Sequence, residues 1–220
     1  MKKIFGPDSG LFRFLQMLMN LAVMNILFLL TSIPIVTTGA AYTALLSCVF
    51  DLLLEEGKFS ARFFLKKFGE VWKPASLIGA ASLIVLAVLG HHAALFFFSD
   101  SSVRLLGAGL YIAFFIWVFG LMMYQFAMLA RGRAWKKEML RDGALLALAK
   151  FPVYIAVLLL TASPLTIAMM PASSLISMLP IVLLFWVSCP AMAGGWMMRR
   201  FLEKIYPELF RKKDLEEQKL

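Results

Sequence analysis

Asp51 and Glu55 stand four residues apart, so on a helix both carboxylates fall on one face. Such a pair is able to hold a cation or relay a proton, while Lys58 and Arg62 nearby offer the plainer alternative of salt bridges at a membrane surface. Three amides, Asn20, Asn25 and Gln125, sit in apolar surroundings, where they either hydrogen-bond across helices or line a path for a polar solute. His91 and His92 are adjacent; a helix would point them about 100° apart, which makes shared metal ligation awkward. Cys48 and Cys189 lie in apolar stretches, behave there as small hydrophobes, and form neither a disulfide framework nor a zinc site. The chain carries no serine elbow, P-loop, dinucleotide-binding glycine motif or metalloprotease helix. No catalytic residue, metal ligand or cofactor is therefore assigned, and the expectation is a protein that is not an enzyme.

The elements that position these residues are set by composition. Hydrophobic residues make up 61% and charged residues 16% of the 220 positions, with a mean hydropathy of +0.83, well outside the range of soluble domains. The apolar residues fall in runs long enough to cross a hydrocarbon core of about 30 Å. These runs cover Phe14 to Ile35, Thr38 to Leu54, Ala75 to Phe98, Leu105 to Leu129, Phe151 to Met170 and Leu175 to Met198. The expected fold is all-α: one polytopic membrane bundle over residues 1–220, of six crossings or of five plus a re-entrant arm. The second run is the shortest and is the candidate for the arm. The first run is too long, and its n-region too extended, for a typical signal peptide.

The formal charge is +9, but the cations avoid the apolar runs and no nucleic-acid-reading motif accompanies them. Lys2, Lys3 and Arg13 precede the first run; Lys58, Arg62, Lys66, Lys67 and Lys73 follow the second; Arg131 to Lys150 follow the fourth; Arg199 to Lys219 follow the sixth. With six crossings all these connectors share one side, which assigns both termini to the cytoplasm and residues 199–220 to a cytoplasmic tail. Residues 58–73 are too charged to span. Phe64, Leu65, Phe68, Val71 and Trp72 share one helical face and Arg62, Lys66, Glu70 and Lys73 the other, as in a surface helix whose cations meet anionic headgroups.

Between the first two runs lies the break "SIPIVTTGA". Pro34 lacks an amide and disfavours helix at Ile33, Gly39 tolerates unusual backbone angles, and Thr37 or Thr38 is placed to cap the following helix. The hairpin 14–54 would then turn at the outer surface. The sharper alternative is a discontinuous helix whose free amides bind a substrate. Pro164, Pro180 and Pro190 are candidates to bend the pair of runs over 151–198, and Gly194 and Gly195 to let neighbours approach closely; residues 75–129 form the other pair.

The stretch Met24 to Ala75 resembles the signature of the YesL-like family of bacterial membrane proteins, with Asn25, Pro34, Thr37, Gly39, Ala40, Ala44, Phe64 and Phe68 at matching places. The resemblance implies a multi-pass protein of the bacterial cell membrane. Members are often encoded beside carbohydrate ABC transporters and two-component regulators, so it further implies an accessory or modulatory role in sugar uptake or sensing, with transporter or sensor subunits as partners. A stand-alone transporter or channel, acting as a homo-oligomer, is the alternative.

Overall fold

The structure, a computed structural model, describes residues 10–54, 60–100, 102–153, 155–156, 158–159 and 186–210. Its elements in chain order are α1 (Gly10–Thr31), a 3-10 turn (Ile35–Thr37), α2 (Thr38–Leu53), α3 (Ala61–Phe97), α4 (Arg104–Ala130), α5 (Lys137–Ala149), α6 (Ser188–Ile205) and a second 3-10 turn (Pro207–Phe210). No strand occurs among the described residues, and the expected all-helical class holds. Four of these segments are long and apolar enough to cross a membrane: those within α1, α2 with its preceding turn, α3 and α4. Of the fifth and sixth expected runs, most of 151–170 and all of 175–185 lie outside the described residues, as do Glu55, Lys58, Pro164, Pro180 and residues 211–220.

The shortest apolar run occupies the middle of the molecule. Every residue of α2 from Gly39 to Phe50 is buried, as expected of a helix that is apolar around its whole circumference. α1, α3, α4 and α6 all pack against it. Small residues allow this crowding: a Cβ on Gly195 of α6 would meet Val49 Cγ1 at 2.8 Å, the close approach expected of the Gly194–Gly195 pair. Pro190 does not bend α6, because it falls in the first turn, where no intrahelical amide is required.

Two expectations need correction. The sequence pattern divides the amphipathic segment from the third run near Pro74, but α3 is one helix of 37 residues that carries Pro74 inside it. Ser60 starts it, its Oγ accepting a hydrogen bond from the Phe63 amide at 3.2 Å. The apolar face of the segment is divided too: Phe64 is buried and Phe68 and Val71 pack on the core, while Leu65 and Trp72 point outward. The second correction is α5, treated in the sequence as part of a charged connector. Met139, Gly143, Leu146 and Ala147 recur at helical spacing and are buried, mainly against α4.

Candidate functional site at the start of α2

The break between α1 and α2 folds as a tight turn. Pro34 is extended (φ −76°, ψ 115°), Thr31 Oγ1 donates to the Leu27 carbonyl at 2.8 Å, and α1 ends there. Thr37 does not cap α2 with its side chain. Its hydroxyl instead turns back, shared between the carbonyls of Thr31 and Pro34, each at 2.7 Å. The Thr37 amide donates to Pro34 O and the Thr38 amide to Ile35 O, so these two donors are used inside the turn and are withheld from any substrate.

Gly39 is required for a different reason from the one its type suggests. The positive backbone angle among the described glycines is at Gly132 (φ 78°), whereas Gly39 lies in α2. A Cβ there would stand 2.5 Å from the Ala75 carbonyl oxygen and 3.2 Å from the Gly79 Cα. Two glycines thus let α2 and α3 touch backbone to backbone, the small-residue contact typical of helices in lipid. Beside this contact an apolar cavity of about 400 Å³ is lined by, among others, Phe28, Ser32, Thr38, Gly39, Tyr42 and Trp186.

The same contact fixes the register of the two hairpins. Gly39 lies level with Ala75 and Gly79, yet α3 continues to Phe97, roughly eighteen residues or about 27 Å farther at a helical rise of about 1.5 Å. The α1–α2 turn therefore stops well short of the α3–α4 tip. In the tip, Gly107 packs directly on Phe96 and His92 stacks on Tyr111 with centroids 5.3 Å apart. His92 Nδ1 lies 2.8 Å from the Val88 carbonyl oxygen, within its own helix. No group of three or more His, Cys, Asp or Glu suited to a metal occurs among the described residues.

The three amides do not converge. Asn25 reaches from α1 to the start of α6, where its Oδ1 accepts the amides of Val187 at 2.9 Å and Ser188 at 3.1 Å. A side chain 162 residues away in sequence thereby serves as the cap that α6 lacks locally. Gln125 is buried on α4, its Cγ 3.3 Å from where a Cβ on Gly143 of α5 would stand. Asn20 is half-buried on α1. None of the three lines the apolar cavity.

Asp51 also has a partner that its neighbourhood in sequence did not reveal. Its Oδ1 accepts from Arg131 Nη1 at 3.3 Å; Lys58, one of the two bridging partners expected, lies outside the described residues. Arg131 is 4% exposed; its Nε donates to the Leu209 carbonyl at 3.0 Å, and its guanidinium lies 4.9 Å from the Phe210 ring centre. Alongside, Ser47 Oγ donates to Ala130 O at 3.0 Å and Arg199 Nη1 to Leu53 O at 2.6 Å. The last contact places a cation at the carbonyl end of α2, where the helix dipole favours it. A second group lies outside the apolar segments, with Arg133 Nη2 2.6 Å from Asp142 Oδ2 and the Arg133 guanidinium over the Tyr206 ring. Burial raises the Asp142 pKa, but hydrogen bonds with Tyr206 and Arg133 outweigh it and hold the carboxyl below the usual range. Arg131, Arg199, Arg133 and Tyr206 were not singled out in the sequence. The only hint was the density of arginines beside the ends of apolar runs.

Residues 21–91, from the middle of α1 to the outer half of α3, match the family described as "Protein of unknown function, DUF624". This region holds the Asn25 cap, the proline turn, the Gly39–Gly79 contact and Asp51. Neither the curated proteins nor the solved structures provide a match.

Proposed function

We propose that the chain is a non-catalytic membrane protein acting as an accessory or modulatory component of bacterial carbohydrate uptake or sensing. The observation that carries the non-transporting part of this reading is the use made of the polar side chains in the apolar segments. Asn25 caps a helix, Asp51 is tied to Arg131, and neither Gln125 nor Asn20 lines the cavity at the turn. A solute path would need such groups free and convergent. The link to carbohydrate rests on the YesL-like resemblance of Met24 to Ala75, with which the matched family region overlaps.

The topology proposed with it has α1–α2 as a hairpin that reaches less far than α3–α4, with α2 the candidate for the re-entrant arm, both termini cytoplasmic, and Arg62, Lys66 and Lys73 facing anionic headgroups. The register of Gly39 against Ala75 and Gly79 supports the shorter reach. Support for the common side comes from the gathering of Asp51, Arg131 and Arg199 around the C-terminal end of α2 and from the outward-facing cations of α3.

The test has two halves. Purification from native membranes followed by mass spectrometry is expected to recover transporter or sensor subunits, while liposomes holding this protein alone show background flux of sugars. Solute-specific flux without a partner would overturn the reading in favour of the stand-alone transporter.

A further inference from the structure

We propose that the cavity between the end of α5 and the last turns of α6 binds the phosphate of an anionic phospholipid headgroup. This inference needs the bilayer reading but not the accessory role. The cavity, about 660 Å³, is lined by Lys150, Arg200, Phe201, Glu203, Lys204 and Ile205. Its size falls within the range of ligand pockets, and its composition is lopsided, with three cations against one carboxylate. That carboxylate is already engaged, since Glu203 Oε2 lies 3.4 Å from Arg199 Nε, outside the lining.

Two of the three cations are held in place without loss of their hydrogen-bonding capacity. Lys150 Nζ stands 4.6 Å from the centre of the Phe201 ring, and the Arg200 guanidinium 4.0 Å from that of Trp196. Ring contacts of this kind orient a cation through its attraction to the π face while its N–H groups stay available as donors. Like charges brought around one cavity repel each other, and an anion in the middle reverses that cost. A phosphate suits the set because a guanidinium fork donates to two of its oxygens and the ammonium groups act as additional point charges.

A lipid is favoured over a soluble phosphate by what surrounds the cations. Phe201 and Ile205 give the cavity an apolar wall, and Trp196, 45% exposed, stands beside Arg200 as an interfacial aromatic would. The helix from which these side chains project begins beside the apolar cavity at the turn and ends in charge, as does a helix leaving the bilayer. The start of α5 offers Lys136, Lys137 and Arg141 as exposed cations on the same helix that ends at Lys150, which makes them the natural control.

The experiment uses the full chain in neutral detergent mixed with phosphatidylglycerol or phosphatidylcholine, reading retained lipid by native mass spectrometry. Wild type is expected to retain phosphatidylglycerol over phosphatidylcholine by tenfold or more. The triple variant Lys150→Gln, Arg200→Gln, Lys204→Gln should lose that preference, and Lys136→Gln, Lys137→Gln, Arg141→Gln should change it by less than threefold. Thermal melts of each variant, together with single Lys204→Gln, separate loss of binding from loss of fold. Equal losses from both triples, or none from the first, would overturn the site. Displacement of the lipid by inorganic phosphate at submillimolar concentration would overturn the lipid as its occupant.

Discussion

Helix α2 and the outer half of the α3–α4 hairpin are similar in hydropathy and opposite in surroundings. α2 is enclosed by protein on every side from Gly39 to Phe50. In the hairpin, Ile84, Val88, Leu95, Phe98, Leu106 and Leu110 are all exposed. An apolar run specifies a medium without water and does not say whether that medium is lipid or other helices. What distinguishes the two is side-chain size and polar ties: α2 carries Gly39, Ala40, Ala41, Ala44 and Ser47 and ends at an arginine-bound carboxylate, whereas the hairpin tip presents large side chains outward.

If α2 is held by ties and close contacts, removing them should cost far more than any change at the tip. The largest effect is expected from Arg131→Ala, which strips Asp51 and the Leu209 carbonyl of a buried donor. A loss of about 2–3 kcal/mol is expected, below the full cost of splitting a buried ion pair because the Asp51 side chain is 30% exposed. Chemical unfolding in mixed micelles measures it, and an effect under about 0.5 kcal/mol would break the contrast.

Gly39→Val comes next. Its Cβ meets the Ala75 carbonyl oxygen, and overpacking of this kind costs about 1–3 kcal/mol. The matched change at the tip is Gly109→Ala, where an added Cβ meets nothing within 4 Å, and replacing a helical glycine should stabilise by up to about 1 kcal/mol. Thermal melts of the two variants should move in opposite directions.

Asn25→Leu removes the acceptor for the Val187 and Ser188 amides, at about 1–2 kcal/mol for a lost helix cap. Hydrogen exchange offers a sharper readout than stability. Protection should fall at the start of α6 while the middle of α2 keeps its own.

The smallest effect belongs to Asp142→Asn, outside the apolar segments, at under about 1 kcal/mol for a pair that is partly exposed. The folded carboxyl is held below its unfolded value, so the stability it contributes is present above the unfolded pKa of about 4 and is lost as pH falls through the folded one. The gap between wild type and variant should be constant near neutrality and close in acid below about pH 4. A gap that instead opened in acid would contradict the direction of the shift.

Much of the site's vocabulary was legible in the chain, but its grammar was not. Pro34 marked the turn correctly because its missing amide acts within a few residues. Thr37 as a cap and Gly39 as a turn glycine are expectations of the same local kind. Both readings yielded to contacts from farther off, with the Thr31 carbonyl drawing the hydroxyl back and Ala75 crowding the glycine. α5 was visible as the spacing of Met139, Gly143, Leu146 and Ala147, but was masked by the charges among them.

The sequence by itself determined the medium, the helical class and the positions of the apolar runs and basic connectors, because transfer of side chains from water and the spacing of charges are properties of short segments. Only the tertiary structure decided which apolar run lies at the centre, how far the first hairpin reaches along the second, and that Asn25 meets Val187 or Asp51 meets Arg131. Those pairings join residues about 80 to 160 positions apart, and no periodicity within one helix encodes a partner on another. They follow from how small residues let helices approach and from the need to satisfy each buried polar group once they have.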